Sequence, residues 1–107
     1  MYKRQTIANT NPENLTLIVI DNGSYGSTGD QKTHTRAKTK LNIIARGAGF
    51  ENIFVITEQE KIISILKNLT YGCNFVLIKT EPGNAQVENI KLLPLDIKKR
   101  FMNSINK

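Results

Sequence analysis

With 107 residues, 39% of them apolar and 22% charged, the chain has room for one hydrophobic core and the composition of an ordinary folded domain. Its longest strongly apolar stretch, residues 15–20, is far short of the ~20 residues of a spanning helix, and no secretory leader pattern opens it, so no membrane partner and a cytoplasmic location are expected. A lone Cys73 excludes an internal disulfide and a multi-cysteine metal site, and the net charge of +6 comes from scattered rather than blocked Lys and Arg, which argues against nucleic acid as a partner.

Residues 1–5 carry no periodicity and are expected to stand outside the domain, while Thr6, Ile7 and Ala8 read as the last turn of a helix. Residues 15–20 are a near-continuous apolar, β-branched run, predicting a strand buried on both faces and ending in a loop at Asp21-Asn22-Gly23. Ala37, Leu41, Ile44 and Ala48 recur at spacings of three and four, which predicts an amphipathic helix over 37–48 stopped by Gly47 and Gly49. A second strand is expected at 52–56. Thr57-Glu58-Gln59-Glu60 then has the pattern of a capping box, opening a helix with Ile62, Ile63, Leu66 and Leu69 on its apolar face and Gly72 beyond its end. Residues 74–79 repeat the strand pattern, Glu81-Pro82-Gly83-Asn84 is turn chemistry, and the chain reads as extended and irregular up to Leu93. Pro94 suits the first turn of a last helix with Ile97, Phe101, Met102 and Ile105 on one side.

Strands alternating with helices predict an α/β fold, a three-layer αβα sandwich with a parallel sheet, forming a single domain over 1–107. Three strands leave a long open edge that further strands or a partner are expected to cover. Cys73 reads as a small buried hydrophobe. Lys98, Lys99 and Arg100 form a solvated face. Lys32, Arg36, Lys38 and Lys40 follow the loop after the first strand, where they either draw in anions or line a solvated helix surface.

That loop, residues 21–31, is the informative segment, with glycines at 23, 26 and 29 and hydroxyls at 24, 25, 27 and 28. Glycine lets backbone N–H groups approach an anion and hydroxyls add donors, so a phosphate cradle is open to it, as is a plain structural loop built from the same turn-forming residues. It matches neither G-x-G-x-x-G nor the phosphate loop ending in Gly-Lys-Ser/Thr. Ligands of open α/β sheets bind beyond the carboxyl ends of the strands, where this loop is expected to lie.

An apolar strand followed by Asp21-Asn22-Gly23-x-Tyr25-Gly26-Ser27-Thr28-Gly29-x-Gln31 resembles the downstream half of the motif of thiamine-diphosphate-dependent enzymes, which begins with Gly-Asp-Gly and ends in Asn-Asn. The wording from Tyr25 to Gln31 points toward the sulfopyruvate decarboxylase β-subunit family, with phosphonopyruvate decarboxylases the nearest competitor; residues 35–50, 79–84 and 99–102 fit the same likeness. The resemblance implies a partial thiamine-diphosphate-binding domain of the PP type and the cofactors thiamine diphosphate and Mg2+. Carried over by residue, Asn22 would ligate the metal through its side chain and Ser24 through its backbone carbonyl, with Asp21 replacing the first Asn. Asn22, Gly23, Ser24, Tyr25 and Gly26 would bind the cofactor. The Gly-Asp-Gly half, with a further metal ligand, would precede Met1, so poor cofactor affinity and inactivity of this chain alone are expected.

The same resemblance implies decarboxylation of a small anionic 2-oxo acid, sulfopyruvate to sulfoacetaldehyde in coenzyme M biosynthesis, at a site shared with an α subunit carrying the pyrimidine-binding domain and its glutamate. Tyr25, Thr28 and Gln31 are the candidates for contacts near the reacting atoms. His34 is either a proton shuttle or a residue at a helix start without catalytic duty. Arg36 and Lys38 are candidates for steering the substrate. A noncatalytic α/β module holding a phosphate-bearing ligand is the alternative.

Overall fold

The computed structural model describes residues 2–69, 71–83 and 86–106. Its elements in chain order are α1 (Tyr2–Thr10), β1 (Thr16–Asp21), the two-residue strands β2 (Ser24–Tyr25) and β3 (Gln31–Lys32), a 3-10 turn at His34–Arg36, α2 (Leu41–Ala48), β4 (Asn52–Ile56), α3 (Glu60–Lys67), β5 (Asn74–Lys79) and α4 (Pro94–Ile105). The three β-branched runs become one parallel sheet in the order β1-β5-β4. Two of these strands match the predicted ranges, and the first is shifted by one because Asp21 pairs in register with Lys79.

The middle strand is the most buried, with Asn74, Phe75, Val76 and Leu77 all inaccessible, since it alone has a strand on each side. Alternation sends Phe75 and Leu77 to one face with Leu17, Val19 and Ile53, against Ala8 of α1, Ala45 of α2, Phe50 and Cys73. The Phe50 and Phe75 rings meet tilted by 59° with centroids 5.4 Å apart, and the Arg4 guanidinium lies 5.8 Å from the Phe75 centroid. Cys73 is thus the buried hydrophobe expected of it, and burial pushes its thiol pKa up. On the opposite face α3 runs beside β4, and Val76 and Ile56 are buried there.

The expectation that the first strand is buried on both faces is not met. Ile18 is 46% and Ile20 70% exposed, because β1 is an edge strand and α3 covers only the β4 side of that face. The helix predicted over 37–48 starts at Leu41, and Ala37 is exposed. Threonine hydroxyls at 33 and 35, 2.7 Å apart, hold the preceding residues in a tight 3-10 turn instead. Gly47 lies inside α2. Gly49, at φ 108°, stops the helix, with its N–H on Arg46 O and the Phe50 N–H on Ala45 O in the paired bonds of a Schellman motif.

The capping box at 57–60 does not form. Gln59 occupies the cap position in helical conformation, and Lys61 and Ile62 N–H groups close the first turn on the Glu58 and Gln59 carbonyls. The inward stripe of α3, half-buried at most, also differs: Ile63 is 65% exposed and Ile65 takes its place, since 62, 65, 66 and 69 follow the i, i+3, i+4, i+7 pattern more closely. Residues 86–93 are irregular as expected, and Pro94 occupies the first turn of α4, in which every residue is exposed. Asn84 of the predicted turn lies outside the described residues. Among the described residues no helix is long and apolar enough to cross a membrane.

Candidate functional site

The three parallel strands end side by side, and a cavity of about 660 Å³ opens beyond their carboxyl ends. Asp21, Asn22 and Gly23 line it from β1 and its loop, Thr35 and Arg36 from the 3-10 turn, and Lys79 from β5, with Glu58 and Glu81 also on its wall. The loop expected at the rim of the sheet is therefore there, in the position where open α/β sheets take ligands.

Past Gly23 the loop folds into a small hairpin in which β2 pairs antiparallel with β3. The Asn22 Oδ1 accepts the Ser24 N–H at 3.1 Å, turning the chain into the hairpin. Thr33 N–H donates to Gly23 O at 3.0 Å, which makes Ser24 and Lys32 a pair whose backbone groups point out of the ladder. The Ser24 carbonyl is left outside the hairpin's own bonds, while its buried hydroxyl bonds the Asp30 carboxylate.

Asn22 and Gly23 are the two expected cofactor residues that reach the cavity wall. Tyr25, Thr28 and Gln31 are exposed on the hairpin, with the Thr28 hydroxyl 3.0 Å from Gln31 Oε1 and the Tyr25 carbonyl accepting the Thr28 and Asp30 N–H groups; Gly26 sits in the hairpin turn. Of the four cations after the loop, Arg36 alone lines the cavity, and its side chain lies along Gly23, 3.4 Å from where a Cβ would stand. Lys32, Lys38 and Lys40 are exposed elsewhere, as is His34 in the 3-10 turn. Among the described residues no three His, Cys, Asp or Glu side chains cluster as metal ligands.

Sequence reading left Asp21 without a part of its own beyond standing in for an asparagine. The structure makes it the hub of the rim: Oδ1 accepts the Gly23 N–H at 3.0 Å and the Thr35 hydroxyl at 2.7 Å, and Oδ2 lies 3.3 Å from Lys79 Nζ. Burial opposes ionisation of this carboxyl, but the bonds from Thr35 and Gly23 and the neighbouring Lys79 ammonium outweigh it and hold the pKa below its ordinary value. Thr35 and Lys79 were also missed. The only signal for Lys79 was a cation ending the strand next to one ending in an acid, visible once strand order is known.

No family model matches the chain. It is 41% identical over 104 residues to a sulfopyruvate decarboxylase subunit beta of Methanocaldococcus jannaschii and 38% identical over 103 residues to that of Methanococcus maripaludis, in each case across 95% of this chain and 55% of the relative. It is also 32% identical to a sulfopyruvate decarboxylase of Methanosarcina acetivorans, across 94% of this chain and 26% of that protein. The chain thus spans about half the length of the curated β subunits it matches. The likeness runs along nearly the whole chain, so the chain is similar to about half of a sulfopyruvate decarboxylase β subunit.

Proposed function

We propose that this chain holds the magnesium-bound diphosphate of thiamine diphosphate in a 2-oxo acid decarboxylase acting on sulfopyruvate, with the pyrimidine end of the cofactor held by an α subunit. The carrying observation is that Asn22 and Gly23, in the loop that resembles the family motif, line the cavity at the carboxyl ends of all three strands. The residues fit the group. Asn22 Oδ1 on the cavity wall is a hard oxygen donor of the kind magnesium prefers, the carbonyl of Ser24 follows directly after the wall residue Gly23, Arg36 brings positive charge to the wall, and the volume is that of a small-molecule site.

When bound, thiamine diphosphate would supply the electron sink for loss of carbon dioxide. This chain's residues bind and orient: Asn22 and Ser24 would ligate the metal, Gly23 gives the chain the left-handed turn between them, and Arg36 attracts the anion. No side chain here is assigned a proton transfer, and acid-base work belongs to the α subunit.

Titration of thiamine diphosphate and Mg2+ into the chain extended upstream through the Gly-Asp-Gly half and mixed with its α subunit tests this reading. Metal-dependent binding is expected, with Asn22→Ala raising the Kd at least about tenfold, the scale of losing a metal-site contact, while the far-UV spectrum is unchanged. An unaltered Kd removes Asn22 from the metal shell. Binding of inorganic pyrophosphate without any metal-dependent binding of thiamine diphosphate supports a noncatalytic module, and turnover of phosphonopyruvate in preference to sulfopyruvate reassigns the substrate.

A further inference from the structure

We infer that Asp21 is a positioning residue that sets the Asn22-Gly23 turn in its ligand-ready shape before any metal or anion arrives; the inference rests on the function proposed above. Its side chain is only 8% exposed, so the charge needs partners, and it takes them from three segments: Gly23 of its own loop, Thr35 of the 3-10 turn and Lys79 of β5. The direction of the threonine bonds follows from proton counting. An ionised carboxylate only accepts, so the Thr35 hydroxyl spends its one proton on Asp21, and the Thr33 hydroxyl 2.7 Å away must donate to Thr35.

The consequence falls on Gly23, which stands between the two residues expected to ligate the metal. Its N–H is held by Asp21 and its carbonyl by the Thr33 N–H, both at 3.0 Å, and its φ of 65° lies in the left-handed region. With the N–H and the carbonyl of this residue held, and so the peptide units on both sides of it, the directions of the Asn22 side chain and the Ser24 carbonyl are restricted as well. Lys79 bonds the opposite carboxylate oxygen and anchors the arrangement to the middle strand. Such supporting contacts orient ligands that they do not themselves replace.

The test uses the chain extended upstream through the Gly-Asp-Gly half, with its α subunit, and four variants: Asp21→Ala, Asp21→Asn, Thr35→Val and Thr35→Ser. Asp21→Ala and Thr35→Val are expected to raise the Kd of thiamine diphosphate with Mg2+ by about 10–100-fold. Asp21→Asn and Thr35→Ser, which keep the carbonyl acceptor and the hydroxyl donor, should stay within about a tenth of that loss. If Asp21→Ala fails to fold, the Thr35 pair decides. Wild-type affinity in both Asp21→Ala and Thr35→Val, alongside a weakened Asn22→Ala, overturns the inference and leaves the proposed function standing. If the wild-type complex binds no thiamine diphosphate, the proposed function fails, and amide exchange at Gly23 judges the clamp alone: exchange about tenfold faster in Thr35→Val supports it, and an unchanged rate overturns it.

Discussion

Asp21 ends the first strand with a carboxyl whose burial, taken alone, would favour the neutral acid, and whose partners reverse that preference. A folded pKa below the ordinary 3.8 means that the native state binds this proton less readily than the unfolded chain. The stabilisation is therefore complete above about pH 5 and is lost as pH falls through the ordinary carboxylate range and then the lower folded pKa. Urea midpoints measured between about pH 6 and 3 should fall for the wild type, with a shallower fall for Asp21→Asn, which has no proton to take up there. At this scale Asn22, Gly23 and Arg36 could be picked out from the loop's wording and its following cations. Thr35 could not, because nothing in the spacing of 21 and 35 says that the hydroxyl and the carboxylate meet.

Among the elements, α2 separates two glycines that look alike in sequence. Gly47 is inside the helix with open space where a Cβ would stand, and Gly49 ends it in the left-handed region, its Cβ position 3.5 Å from that of Ala8. Gly47→Ala should raise stability by about 0.5–1 kcal/mol through helix propensity. Gly49→Ala should lower it by roughly 1–2 kcal/mol through backbone strain, since the contact with Ala8 is an ordinary one. Denaturant unfolding of the two variants checks both signs. The strands at 52–56 and 74–79 were legible to the residue because β-branched runs bounded by turn residues have few other uses. Pro94 marked the start of α4, but the starts of α2 and α3 were not legible: the pattern at 57–60 permits a capping box, yet backbone bonds from Lys61 and Ile62 close that end.

Across the whole molecule the core is lopsided. The face under α1 and α2 is filled, whereas on the other face Ile18 and Ile20 of β1 stay open and α4 keeps its apolar side in solvent. The radius of gyration, 16.5 Å, exceeds the roughly 13 Å of a compact domain of this length, in keeping with an α4 that buries none of its residues. Phe75→Ala should therefore cost about 3–5 kcal/mol in unfolding of this chain, and Phe101→Ala less than about 0.5 kcal/mol, a contrast that thermal or urea melts resolve directly.

The residues by themselves determined the α/β class, the positions of the three main strands and the loop in which to look for a ligand, because these depend on local periodicity, glycine and turn chemistry acting over a few neighbours. Only the tertiary structure decided that 74–79 is the middle strand, that β1 keeps one face open, and that Asp21, Thr35 and Lys79 converge on one turn. Strand order brings together side chains far apart in sequence, as in the ion pair of Asp21 with Lys79, and no short-range pattern encodes which edges will pair.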